Sequence, residues 1–134
     1  MMPSQLCRSR LIAVALFIVI VAGCRGARHR EHVEQTLAHV DKTVLLAEAS
    51  RVWEQYRSNW SEELPPTAWP QVFRKFAPEK VIVDRSGVFV CTHSFFVRDA
   101  GLFVALDPSF EPKGKTDPTY EHLEGFFYWY DANG

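Results

Sequence analysis

The amino-acid sequence predicts an α+β fold, with a long N-terminal helix and a short helix packed on a mainly antiparallel sheet of about four strands. Three observations carry this reading. Apolar residues recur at helical spacing from Val33 to Tyr56, with no Gly or Pro between Glu31 and Asn59. Beyond Lys80 the period shortens to β-branched and aromatic runs. Turn-forming segments such as Asp84-Arg85-Ser86-Gly87 separate those runs. Helix first and strands after, in one chain of this size, is the pattern of an α+β domain.

The long helix is expected from Glu31 to about Asn59. Val33, Leu37, Val40, Val44, Leu45, Val52 and Tyr56 fall on one face, the stripe of an amphipathic helix lying on a core. Glu31 and Glu34 in its first turn, with Arg51 and Arg57 near its end, suit the helix dipole. At about 40 Å it is long for so small a domain, so its first turns are expected to project as a stalk. Pro65 and Pro66 then make a loop of Trp60 to Ala68. Pro70 fits the first turn of a short helix over Trp69 to Ala77, where Val72, Phe73 and Phe76 supply the apolar face and Pro78 the stop.

Lys80 to Asp84 and Val88 to Thr92 read as a hairpin. Ser94 to Arg98 and Gly101 to Leu106 extend it as a meander, with the turn at Asp99-Ala100 and a bulge near His93. Phe126 to Tyr130 is the last strand. Between the final strands, Asp107 to Glu124 holds three prolines and Gly114 and reads as exposed loop, with Asp117-Pro118 opening a single helical turn through Leu123. The strands are apolar on both faces, as in Val81 and Val83 against Ile82, so both faces need cover. The long helix is expected over one face, and the short helix, Trp60 and the 107–124 loop over the other.

The N-terminal segment follows a different logic. Arg8 and Arg10 precede an unbroken apolar run from Leu11 to Ala22, and small residues Ala22 and Gly23 lead to Cys24. The run would reach about 18 Å as a helix, against a hydrocarbon core of about 30 Å. These are the three parts of a secretory signal peptide, and Val21-Ala22-Gly23-Cys24 resembles the lipobox of bacterial lipoproteins. That resemblance covers residues 1–24 and implies cleavage between Gly23 and Cys24, lipid on the Cys24 thiol and stable attachment to a membrane through several acyl chains. Arg25, where an aspartate would imply inner-membrane retention, implies the outer membrane facing the periplasm in a Gram-negative source. The expected organisation is then signal peptide 1–23, lipidated basic tether 24–30 and one α+β domain 31–134.

Removing 23 of the 134 residues leaves 111, enough for one core. The mature part keeps 13 Lys and Arg against 16 acidic residues, so no basic field marks a nucleic-acid partner. The short cluster Arg25, Arg28, His29, Arg30 suits anionic head groups beside the anchor. Cys91 is left unpaired in an apolar run and reads as a small buried hydrophobe.

No G-x-G-x-x-G or phosphate-binding loop calls for a nucleotide, no spacing calls for a metal, and no cofactor is implied. Catalytic residues are not assigned. An envelope hydrolase or metal-dependent enzyme would rest on His93, or on His122 within Glu121-His122-x-Glu124. A glycan or lipid binder would rest on aromatic stacking. The reading preferred here is a non-enzymatic module that binds another envelope protein through the sheet's aromatic face or the 107–124 loop, with Trp69, Tyr128, Trp129 and Tyr130 as the candidate surface.

Overall fold

The apolar repeat winds the start of the domain into helix in two pieces rather than one. In the computed structural model, which describes residues 26–134, α1 occupies residues 26–39 and α2 spans Lys42–Tyr56. The signal segment, Gly23, Cys24 and Arg25 lie outside the described residues. Asp41 makes the break: it adopts an extended backbone, and its Oδ1 accepts from the Thr43 and Val44 N–H groups at 2.9 and 3.2 Å. A carboxylate so placed satisfies two of the N–H groups that a new helix leaves unpaired. The single helix from Glu31 to Asn59 is therefore corrected to two, and the projecting stalk is corrected too. The bend at Asp41 lets both helices lie on the sheet, and Val33 is fully buried.

Proline sets the next segment. Pro66–Ala68 forms one 3-10 turn, and α3, Gln71–Arg74, follows Pro70 directly. The short helix is thus a single turn inside the expected range. Phe73 within it and Phe76 just past its end, both at 0% exposure, plug the core.

The sheet has six strands, corrected from about four. They are β1 (Glu62–Leu64), β2 (Lys80–Val83), β3 (Gly87–Phe95), β4 (Arg98–Ala105), β5 (Thr119–Glu124) and β6 (Phe127–Asn133), all antiparallel in the order β1-β2-β3-β4-β6-β5. The two additions are the edge strands β1 and β5. The helical turn expected from Asp117 through Leu123 is replaced by β5. The β3–β4 turn sits at Phe96-Val97, not Asp99-Ala100, so residues 94–98 are not a separate strand. The bulge near His93 is present as a register shift between Cys91 and His93. Gly101 lies opposite it, where a Cβ would stand 2.2 Å from the Val90 carbonyl oxygen, so the two strands approach only because that atom is missing.

These pairings give the sheet two ends. At one lie the β3–β4 tip and the C-terminus, joined by the Gly134 N–H donating to the Val97 carbonyl at 2.6 Å. At the other lie the β2–β3 turn and the β5–β6 turn at Gly125-Phe126. Both helices, α3 and Trp60 cover one face, against Val81, Val83, Val88, Val90, Leu102 and Val104. The expectation that α3 and Trp60 shield the opposite face is corrected. That face holds Phe89, Cys91, Phe103, Tyr120, Tyr128 and Tyr130, and its cover is Phe110 from the 106–118 segment.

Candidate functional site

Strand alternation divides the aromatic residues singled out from sequence, because successive side chains point to opposite faces. Trp129 packs half-buried on the helix-covered face. Trp69 does the same, its indole N–H donating to the Leu64 carbonyl at 3.1 Å while the Arg74 guanidinium lies 5.9 Å from its ring. Tyr128 and Tyr130 belong to the other face, and Tyr130 is only 2% exposed. The four therefore do not meet as one surface. Burial pushes the Tyr130 hydroxyl far above the usual phenol range, and that hydroxyl has no hydrogen-bond partner. Beside it Cys91 is fully buried, its thiol also pushed up by burial and directed at the His93 carbonyl at 3.3 Å. A protonated, enclosed thiol is a packing group and not a nucleophile.

The two histidines that would carry acid–base chemistry are occupied otherwise. In β5 the side chains of Glu121 and Glu124 reach the helices: Glu121 accepts from both terminal guanidinium nitrogens of Arg30 at 2.6 Å, and Glu124 pairs with Lys42 at 3.1 Å. His122 stands on the opposite face, edge-on to Tyr128, with its Nε2 at 2.9 Å from the Gly125 carbonyl. The Glu-His-x-Glu sequence is thus split: Glu121 and His122 alternate across the strand, and the register shift between His122 and Glu124 turns Glu124 back toward the helices, which leaves two inter-element ion pairs and one turn contact.

His93 stacks on His29 of α1, ring centroids 4.3 Å apart. Burial, with the neighbouring His93, holds the His29 imidazole below its usual range, against a smaller opposing pull from Glu79. Neither His93 nor His122 hydrogen-bonds a carboxylate, and among the described residues no three His, Cys, Asp or Glu side chains are placed to hold a metal ion. His29 and Arg30, read from sequence as tether, are helical and fastened to the sheet.

One groove with an apolar lining, of about 570 Å³, lies at the β5–β6 turn. It lies between Leu46 and Ser50 of α2 and the loop residues Leu106, Pro108 and Phe110, with Phe126 and Tyr128 along it. Phe126 is 56% exposed, although it follows an apolar strand pattern in sequence. The one carboxylate lining the groove, Asp107, accepts from the backbone N–H and hydroxyl of Ser109, which hold it below the usual carboxylate range. It stays ionised and serves the turn, leaving an apolar slot with a hydroxyl and a fixed negative charge at its margin. Of the aromatic residues proposed from sequence, Tyr128 alone lines it. Phe126 and Phe110 are the lining residues that the sequence does not single out, one being the first residue of an expected strand and the other one position in a binding loop read only as a whole. Their signal was size: both are large apolar side chains beside turn residues.

No helix among the described residues is long and apolar enough to cross a membrane. Compared with known protein families, curated proteins and solved structures, the chain shows no match.

Proposed function

We propose that this chain is a small lipoprotein of the bacterial cell envelope, held to a membrane by lipid on Cys24, and that its domain is a non-enzymatic module binding another envelope protein as accessory factor, assembly factor or inhibitor. The observation that supports the binding role is the apolar groove around exposed Phe126. Exposed apolar surface of this kind commonly marks an interaction site, and an aromatic residue beside a slot is the usual form of an anchor position. The engagement of His122, Glu121, Glu124 and Asp107 in structural contacts favours binding over hydrolysis. The lipobox resemblance supports the anchor, and Arg25 favours the outer membrane facing the periplasm.

Photo-crosslinking in cells tests the binding role. A crosslinker at Phe126 is expected to capture one discrete protein, and capture should be lost when Leu46→Asp is added. A crosslinker at Thr67, exposed in the 3-10 turn that follows β1 at the other edge of the sheet, should not capture it. Equal capture from both positions, or none from Phe126, sinks the reading. For the anchor, mass spectrometry of the mature N-terminus is decisive: an unmodified Cys24 refutes it.

A further inference from the structure

Exposed apolar side chains in this domain are concentrated at one place. Among the described residues five large apolar side chains are exposed, and three of them are consecutive: Phe95 at 62%, Phe96 at 89% and Val97 at 67%. They form the tip of the β3–β4 hairpin. Phe96 sits at φ +54°, a left-handed conformation ordinarily given to Gly or Asn. The Phe95 and Phe96 rings meet edge to face at 4.5 Å, so the most exposed ring of the domain covers little but its neighbour. A strained, solvent-facing phenylalanine gains nothing for the monomer, and strain of this kind collects at functional positions.

The course of α1 says what covers the tip. His29 stacks on His93, two residues before Phe95, whereas Lys42, just past the end of α1, reaches Glu124 at the opposite end of β5. The helix therefore starts at the tip end of the sheet and runs away from it. Gly26 is two residues from Cys24, a span of at most about 7 Å. Arg28, exposed in the first turn of α1, adds positive charge at the same end, and Arg98 beside the tip is neutralised by Asp131 at 2.9 Å. Exposed aromatic side chains at a hairpin tip, with one basic residue at the same end, suit a surface that enters a head-group region.

We infer that Phe95, Phe96 and Val97 insert into the bilayer that holds Cys24, giving the domain a second membrane contact. The inference rests on the lipid-anchor reading for its geometry. Two contacts fix an orientation that one flexible lipid attachment would leave free. The tip faces the bilayer, and the groove around Phe126, at the opposite end of the sheet, faces away.

The test uses the full chain, processed in cells, purified and reconstituted in phosphatidylethanolamine–phosphatidylglycerol vesicles. A nitroxide is placed at Phe96→Cys or, separately, at Arg85→Cys; Cys91 is buried and takes no label. The label at 96 should lie about 5–10 Å below the head groups, with oxygen collisions raised and nickel-chelate collisions lowered, while the label at 85 stays in water. Phe96→Trp keeps a ring at the tip, and acyl-brominated lipids should quench its emission beyond any quenching of the 4 native tryptophans.

The mass of the N-terminal peptide is read from the same sample. An acylated Cys24 with position 96 as wet as position 85 overturns insertion and leaves the anchor standing. A label at 96 shielded from both oxygen and nickel also overturns it, because protein, a second copy or a partner, then covers the tip. An unmodified Cys24 would itself take label, so that case is read from Phe96→Trp: quenching by the brominated lipids then refutes the anchor and upholds insertion.

Discussion

The two faces of the sheet are closed by different means. The helix-covered face is built from Val81, Val83, Val88, Val90, Leu102 and Val104, short aliphatic side chains that make an even bed for α1, α2 and α3. The other face is built from Phe89, Phe103, Tyr120, Tyr128 and Tyr130, and one loop residue, Phe110, completes it. Phe110 meets Phe103 and Tyr120 with ring centroids 5.0 Å apart and Tyr128 at 5.5 Å, all close to edge-on or tilted. Rings arranged so shield one another, and each pair adds about 0.5–1.5 kcal/mol beyond burial. Aliphatic surface has no such recourse and needs a whole layer over it. An aromatic face can therefore be closed by a loop, at the expense of leaving a groove where the loop stops.

That contrast sets the order of the mutational effects. Phe73→Ala empties a fully buried site beneath α2 and α3 and should cost about 3–5 kcal/mol, read as a lowered urea midpoint with little change in slope. Phe110→Ala removes a half-buried ring from a cluster that can partly re-cover itself, so the expected cost is about 1–2 kcal/mol. Its distinguishing sign is a large change in near-ultraviolet circular dichroism with an unchanged far-ultraviolet spectrum. If Phe110→Ala proves as costly as Phe73→Ala, the aromatic face depends on its loop as fully as the aliphatic face on its helices, and the contrast fails. Asp41→Ala, which removes the cap between α1 and α2, should cost about 1 kcal/mol, and Asp41→Asn should restore most of it.

The sequence made the middle of the domain legible and left its margins obscure. The strands β2, β3, β4 and β6 are apolar on two faces and announced themselves. The edges β1 and β5 are half-solvated, and Glu62-Glu63 or Glu121-His122 read as loop because an edge strand buries too little to show a clear period. Asp41 was hidden because an aspartate inside an otherwise continuous helical repeat is as compatible with an exposed helix position as with a cap. The β3–β4 turn has no local signal, because Phe96-Val97 contains none of the residues that usually mark turns, whereas Asp99-Ala100 contains one. The groove depended on which face α3 and Trp60 would take, a tertiary choice with no local signal. Tyr128 could be named from its size, but its separation from Trp129 required knowing which side the helices covered.

The smallest expected effect concerns how α1 is held to β3. His29 lies against His93, and burial and that neighbour hold its imidazole below 6.5. Well above pH 6.5 the ring is neutral in folded and unfolded chains alike, and its contribution to stability is fully present. As the pH falls below 6.5, the unfolded chain binds the proton first, so mass action favours unfolding until the folded ring also protonates. His29→Gln removes this proton uptake and leaves the carboxylates unchanged. The urea midpoint should therefore drop less for His29→Gln than for the wild type between about pH 7.5 and about pH 5.5. Equal drops would mean that α1 is held without regard to the charge on His29, and the helix-covered face would then be as indifferent to pH at its margin as in its aliphatic interior.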